Sequence, residues 1–416
     1  MRIPARDAPA LSAEFSVPCS MVVGITHPQT CMVLGPRLRA LREAGFQVTL
    51  VCSPGELLDA TAVHAGVDRV AIPIERGIAP WADIVSLLRL CRLLLRLRPQ
   101  MVEFGTPKAG LLGTLAAALC GVPRRVYALR GLRLETARGW KLRLLLLAER
   151  AACACAHAVL CNSESLRDRA LALRLASAKK LRVLGDGSSN GVDMERFSPG
   201  RDTLRQRLGW DSDAAVIGFV GRLTRDKGLP ELLGAFHLIL HARPEARLLL
   251  VGWFDASEDA VCAEQRAYIE SHPHIHCTGM VEDTAPWYRA MDLMVLPTWR
   301  EGFPNAVLEA QSTAVPVVTT ISTGSRDSVL PEVTGLLIPP GYPEAIAEAV
   351  LSLLADPNRR RRMGAAARAW VREHYVDRRV LTLTAQFYRS LLTEVEQQPR
   401  PAVRKSDSPE YLPQSQ

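Results

Sequence analysis

The residues whose types and spacing could carry chemistry concentrate in one stretch, Arg300-Glu301-Gly302-Phe303-Pro304-Asn305-Ala306-Val307-Leu308-Glu309-Ala310. The apolar run before it, 292–297, reads as a buried strand. Gly302 and Pro304 mark a tight turn, and 305–311 reads as the first turns of a helix. Glu301 then lies in a loop at a strand's C-terminal end, with Glu309 about two turns into the helix. Peptide N–H groups at a helix start are unpaired and carry the positive end of its dipole, which suits an anion. Two flanking carboxylates would repel a bare phosphate but would accept hydrogen bonds from hydroxyls. A ligand with both groups, such as a nucleotide sugar, fits the pattern. An ordinary strand–loop–helix unit with two solvated glutamates has the same spacing, so the other residues have to decide.

A second stretch, Gly218-Phe219-Val220-Gly221-Arg222 to Lys227-Gly228, also follows a strand. Arg222 brings a fork of donors and Lys227 a point charge, and both could reach one phosphate group. The loop has neither the Walker A order nor GxGxxG, so alone it fits a solvated basic loop equally well. Beside 301–309, at strand C-terminal ends of the same sheet, it favours phosphate binding. Other constellations point nowhere. His272, His274 and His276 have the look of a metal clip, but no acidic or thiol ligand shares their frame and Cys277 points to the opposite face. No metal site is expected. Ser163 and Ser165 lack a G-x-S-x-G frame. The ten cysteines have no metal-ligand spacing; Cys153 and Cys155 face different ways on a helix, and Cys31, Cys52, Cys91 and Cys161 sit in apolar contexts. A reducing cytosol is expected.

The elements that must position these residues read as alternating strands and helices. Strands are predicted at 20–26, 47–52, 69–72, 100–104, 125–129, 157–161 and 181–184. A second set follows at 214–221, 247–251, 275–278, 292–296, 315–319 and 335–338. Helices are predicted at 32–44, 81–98, 108–119, 137–156, 343–355, 358–375 and 380–395. Such alternation implies parallel sheets covered on both faces. Turn residues at 190–200 break the rhythm. The expected organisation is a leader over 1–19, a first Rossmann-like domain over 20–195 and a second over 196–375. A helix over 376–395 would pack back on the first domain, and 396–416 would be a disordered tail. The fold class is α/β, two doubly wound Rossmann-like domains facing across a cleft, where ligands bind beyond the strand C-terminal ends.

At 416 residues, 48% hydrophobic and 23% charged, the composition is that of an ordinary globular protein. The net charge of +8 is uneven: residues 1–200 hold 27 Lys and Arg against 16 Asp and Glu. A basic half suggests an anionic partner there. Helix 81–98 puts Arg89, Arg92 and Arg96 on one face beside Leu88, Cys91 and Leu95. It could lie on an anionic membrane or pack its leucines on the sheet and leave its arginines in water. No signal peptide is expected from the opening residues, and no apolar run reaches a membrane span.

Together, Gly221-Arg222 and Lys227-Gly228, Glu301-Gly302-Phe303-Pro304-Asn305 with Glu309-Ala310, Val315-Pro316-Val317-Val318 and Gly335-Leu336-Leu337-Ile338 resemble the donor domain of retaining family-4 glycosyltransferases of the GT-B fold. The likeness extends through Thr106-Pro107-Lys108-Ala109-Gly110, Arg130-Gly131-Leu132-Arg133 and 185–193. It is similar to enzymes of capsular, exopolysaccharide and O-antigen assembly. The resemblance implies that Arg222 and Lys227 bind and stabilise a departing diphosphate, with Glu301 on the donor sugar and Glu309 on the ribose diol. Gly221, Gly302, Phe303, Pro304 and Asn305 would complete the donor site. Arg130, Lys108 and His27 would lie on the acceptor side. Arg130-Gly131 stands where many relatives carry His-Gly, and Thr26-His27-Pro28 where many carry a glycine pair. The reaction implied is metal-independent retaining transfer, by front-face attack, from a nucleotide sugar with UDP as the expected base carrier. No cofactor is needed. The acceptor would be a glycan or lipid-linked sugar at an anionic membrane, on the inner face of the cell membrane. The alternatives are a nonhydrolysing sugar-nucleotide epimerase and a binding module for anionic surfaces or nucleic acid. Few aromatics interleave the arginines, so no nucleic-acid partner is expected.

Overall fold

A computed structural model describes residues 19–200, 203–211 and 213–396. The leader expected over 1–19 and the tail over 396–416 fall almost wholly outside the described residues. Seven strands build the first sheet: β1 (Cys19–Gly24), β2 (Phe46–Cys52), β3 (Asp68–Ala71), β4 (Met101–Gly105), β5 (Arg124–Leu129), β6 (Ala158–Cys161) and β7 (Leu181–Arg182). Six build the second: β8 (Val216–Val220), β9 (Arg247–Val251), β10 (Ile275–Cys277), β11 (Leu293–Leu296), β12 (Val317–Thr320) and β13 (Gly335–Ile338). The orders are β3-β2-β1-β4-β5-β6-β7 and β10-β9-β8-β11-β12-β13. Every pairing within them is parallel. Central strands such as β8 are buried along their whole length, so they read as continuous apolar runs rather than alternating ones.

Two sets of helices cover the first sheet. On one face lie α1 (Gly35–Glu43) and α2 (Glu56–Ala65); on the other α3 (Pro80–Leu97), α4 (Pro107–Leu119), α5 (Gly139–Cys155) and α6 (Glu164–Ala172). Gly110 and Gly113 let α4 press on the sheet: a Cβ there would come within 2.2 Å of Tyr127 and 2.1 Å of Phe104. The second domain carries α7 (Leu204–Arg207), α8 (Leu229–Ala242), α9 (Ala263–Ser271), α10 (Ala285–Arg289), α11 (Asn305–Ser312), α12 (Pro343–Ala355) and α13 (Pro357–His374). The helix starts at Asn305 as expected, but four residues at 3.6 per turn put Glu309 just over one turn into α11 rather than two.

Among the described residues the chain crosses between the domains twice, and the crossings touch. Val192 N–H donates to the Tyr375 carbonyl at 2.8 Å, and Asp377 N–H to the Val192 carbonyl at 3.1 Å. Beyond the second crossing, α14 (Asp377–Glu396) packs Ala385, Phe387 and Tyr388 into the first domain's core beside Leu38 and Phe46. Tyr388 reaches a buried charge cluster there: its hydroxyl donates to Glu103 and accepts from Arg37, and Arg37 donates to Glu103 at 2.8 Å.

Candidate active site

In each sheet the strand order reverses between two neighbours, β1 and β4 in the first and β8 and β11 in the second. The loops leaving such a pair diverge to opposite faces and open a crevice. Gly221 to Lys227 leaves β8, and Glu301 to Pro304 follows β11. Thr26 and His27 follow β1, and Thr106 to Lys108 follow β4. The two crevices face each other.

Backbone closeness fixes how they meet. A Cβ on Gly302 would lie 2.3 Å from the Arg130 carbonyl oxygen, and one on Gly324 would lie 2.5 Å from the Gly302 carbonyl oxygen. Gly131, at φ +130°, packs against the Gly302 amide from the other side. The turn after β5 and the turn after β11 therefore rest on each other, main chain to main chain. Side chains stitch the same seam: Thr323 donates to Glu135 at 2.7 Å, and Arg300 Nε to Thr136 at 3.1 Å. Asp327 accepts from the Ser165 hydroxyl and, at 3.2 Å, from its amide. Ser165 is an interdomain tie.

On the second domain's side the charges form one network. Lys227 Nζ pairs with Glu301, and both side chains are largely covered. Arg222 donates to Asp255 at 2.7 Å and lies 3.5 Å from Asp226. Arg300 reaches Asp226 at 2.8 Å and Thr224 donates to it at 2.6 Å. Burial works against the charge on Arg222, but Asp226 and Asp255 outweigh it and raise its pKa. Burial likewise opposes ionisation of Asp226, and Lys227 and Arg300 overcome it, holding the carboxyl below its usual range. Gly228, at φ +76°, crosses so close to the end of β11 that a Cβ would meet the Pro297 carbonyl at 2.1 Å. That contact keeps the cation loop beside the Glu301 loop.

Glu309 stands apart, on the side of α11 facing α10 and the interdomain linker. Tyr288 donates to its carboxylate at 2.8 Å. The residue keeps some solvent contact, but its carboxyl lies deep enough that desolvation pushes it up to about 7, with Tyr288 and Arg196 opposing. Phe303 is buried against Tyr375, with ring centroids 5.2 Å apart, and against Gly187. Pro304 precedes the first helical residue, and the buried Oδ1 of Asn305 has no hydrogen-bond partner within the protein.

The acceptor-side candidates separate. His27 caps a short 3-10 turn and accepts from the Gln29 amide at 3.3 Å. Burial and then Arg76 depress its pKa, and Asp255 of the other domain opposes them, so His27 faces the cleft. Arg130 lies near the cleft floor, 3.4 Å from Glu103, with burial and Arg37 lowering its pKa. Lys108 turns away, pairing with Asp83 at 2.8 Å and with the Gly77 carbonyl. Sequence reasoning gave no role to Asp226 or Arg300, which lie in the two stretches it singled out, and missed Asp255 and Tyr288. It named Thr106 without its conformation: the residue is held at φ +68° with its hydroxyl 2.7 Å from that of Thr26. Among the described residues no group of His, Cys, Asp and Glu could hold a metal ion.

Residues 37–187 match the family model of the glycosyl transferase 4-like domain, and 214–356 that of glycosyl transferases group 1. The chain is 34% identical over 376 residues to the capsular polysaccharide biosynthesis glycosyltransferase CapM of Staphylococcus aureus, covering 89% of this chain and 97% of that one. It is 28% identical over 301 residues to the UDP-Gal:alpha-D-GlcNAc-diphosphoundecaprenol alpha-1,3-galactosyltransferase of Escherichia coli, 70% of this chain and 76% of that one. The fold is similar to that of sucrose-phosphate synthase from Thermosynechococcus elongatus, with a TM-score of 0.75 at 20% identity over 90% of this chain and all of that one.

Proposed function

The chain belongs to the group 1 glycosyltransferases, and from that premise we propose retaining transfer of a sugar from a UDP-sugar to a lipid-linked or glycan acceptor in surface polysaccharide assembly. The observation that carries the donor half is the convergence of Arg222, Lys227 and Glu301 on one crevice, with Glu309 on the helix behind it.

Glycosyl transfer develops positive charge on the sugar and negative charge on the departing diphosphate. Arg222 and Lys227 hold the diphosphate and stabilise it as it leaves, which lowers the barrier without a metal. Amides near Gly302 and Phe303 assist at the start of α11. As the diphosphate takes Lys227, Glu301 is released to accept from hydroxyls of the donor sugar. Glu309 accepts from the ribose diol. Glu301 and Glu309 are not a general acid and base couple, and front-face attack by the acceptor hydroxyl retains configuration. His27 and Arg130, on the first domain's side of the cleft, contact the acceptor.

The acceptor half draws on the undecaprenol-linked substrate in the name of the Escherichia coli relative and on the basic first half of the chain. The enzyme works peripherally at the anionic inner face of the cell membrane. Isothermal titration of nucleotide sugars against the intact chain, followed by transfer to membrane extracts, tests the reading. Nucleotide-sugar affinity and turnover unchanged in both Lys227→Ala and Glu309→Ala would sink it.

A further inference from the structure

The outer surface of the α3–α4–α5 layer is not the usual polar face. Along α3, Leu90 and Leu94 point to the sheet, while Trp81, Ile84, Val85, Leu88 and Leu95 lie exposed, Trp81 by 83%. They recur at the spacing of one helix face, so they form a stripe. Arg92 interrupts it, and Arg89 and Arg96 border it, all exposed. The leucines that sequence left free to cover the sheet are thus partly on the solvent side. On α5 the pattern repeats: Trp140, Leu144 and Leu147 are exposed at 65%, 41% and 63%, with Arg143 and Arg150 on one flank and Lys141 on the other. Each helix has one carboxylate and neither is free; Asp83 pairs with Lys108, and Glu149 is buried against Tyr127.

Both stripes start at the cleft. Helices that follow parallel strands run back from the strands' C-terminal ends, so Trp81 and Trp140 mark the cleft end of each. Contacts across the cleft agree. Arg76, just before α3, pairs with Asp255 at 3.2 Å, and Lys141 on α5 pairs with Glu258 at 3.5 Å.

We propose that α3 and α5 together form a docking face for an anionic lipid bilayer, with Trp81 and Trp140 seated at the headgroup level so that the cleft mouth opens along the membrane. The proposal rests on the reading above that the acceptor is lipid-linked. Charge complementarity selects the occupant. An apolar stripe flanked by arginines, with no free carboxylate, matches hydrocarbon below a negatively charged surface, and tryptophan prefers that boundary. Two parallel stripes also fix orientation, which one helix would leave free to roll.

The test is co-sedimentation of the full chain with phosphatidylcholine vesicles and with vesicles containing phosphatidylglycerol, for the wild type and for Trp81→Ser/Trp140→Ser. Binding to the anionic vesicles alone, weakened by added salt and reduced roughly tenfold or more in the double variant, is expected. Circular dichroism and nucleotide-sugar turnover in lipid-free buffer should be unchanged by the substitutions, since both side chains face solvent. No anionic preference in the wild type, or undiminished binding in the variant, overturns the proposal. So does a stable dimer in solution that the double variant dissolves, which would give the face to a second copy. Vesicle binding as expected with no nucleotide-sugar turnover would leave the docking face standing and remove the proposed function instead.

Discussion

Lys227 and Arg222 carry the most direct prediction at the scale of single residues. Each already faces a carboxylate, Glu301 and Asp255, so the diphosphate of the proposed donor would have to win them in competition. In the proposed reaction, removing Lys227 would take away the fixed charge that stabilises the leaving group. Lys227→Ala should lower kcat/KM by roughly 10²-fold or more with the fold intact, read by steady-state nucleotide release and circular dichroism. Glu309 makes a prediction about pH. Its carboxyl is raised from 4.5 to about 7 in the folded chain. Its protonated form therefore adds stability that is fully present below about 4.5 and lost as pH rises through 7. Glu309→Gln should abolish that loss: without donor, its melting temperature should gain on the wild type between pH 5 and 8. The proposed donor contact requires the opposite state, since only the carboxylate could accept from both ribose hydroxyls. UDP affinity of the wild type should therefore fall as pH drops below 7, as titration calorimetry at several pH values would read. Much of this site was legible in sequence, because Arg222, Lys227, Glu301 and Glu309 lie in two short stretches at strand ends. Asp255 was not. It meets Arg222 across 33 residues of separation and Arg76 across 179, and no local pattern records such pairs.

At the scale of elements, strands were easier to read than helices. Buried parallel strands such as β8 and β11 are unbroken apolar runs between glycines and turns. By contrast α2, α8 and α9 were passed over. Each follows a loop rich in turn residues, and α2 and α9 bury so little of their surface that polar and apolar residues mix along them. The interlock of turns at the cleft was also invisible, since a glycine's sequence neighbours do not show what its α-hydrogens face. Gly302 is the sharpest case. Gly302→Ala would push the turn after β11 off the turn after β5, where only 2.3 Å separates a Cβ from the Arg130 carbonyl. Activity should fall at least tenfold, with the melting temperature lowered by only a few degrees because the cores of both domains are untouched. A scanning calorimetry trace beside a transfer assay separates the two effects.

For the molecule as a whole, two parallel-sheet α/β folds were legible in the sequence, but the detail of how one completes the other was not. Sequence suggested a terminal helix that packs back. It gave no sign that Tyr388 would enter a buried cluster with Arg37 and Glu103. Removing one hydroxyl tests it. Tyr388→Phe leaves Glu103 short of a donor in a site without water access, and should cost about 1–3 kcal/mol, seen as a lower urea midpoint at constant slope. If the midpoint is unchanged, the hydroxyl contributes nothing there.

The same helix sets the order in which the protein can be finished. A ribosome delivers the first domain's seven strands early, and domains generally begin to fold as they emerge. That domain nevertheless stays incomplete through the synthesis of the entire second one, because Ala385, Phe387 and Tyr388, which complete its core, follow the second domain in the chain. Until they arrive, Phe46 and Leu38 stand open to water, and the Arg37–Glu103 pair lacks its cover. The first half to be built is the last to close, and the nascent chain carries an exposed apolar seam for the time it takes to add the rest.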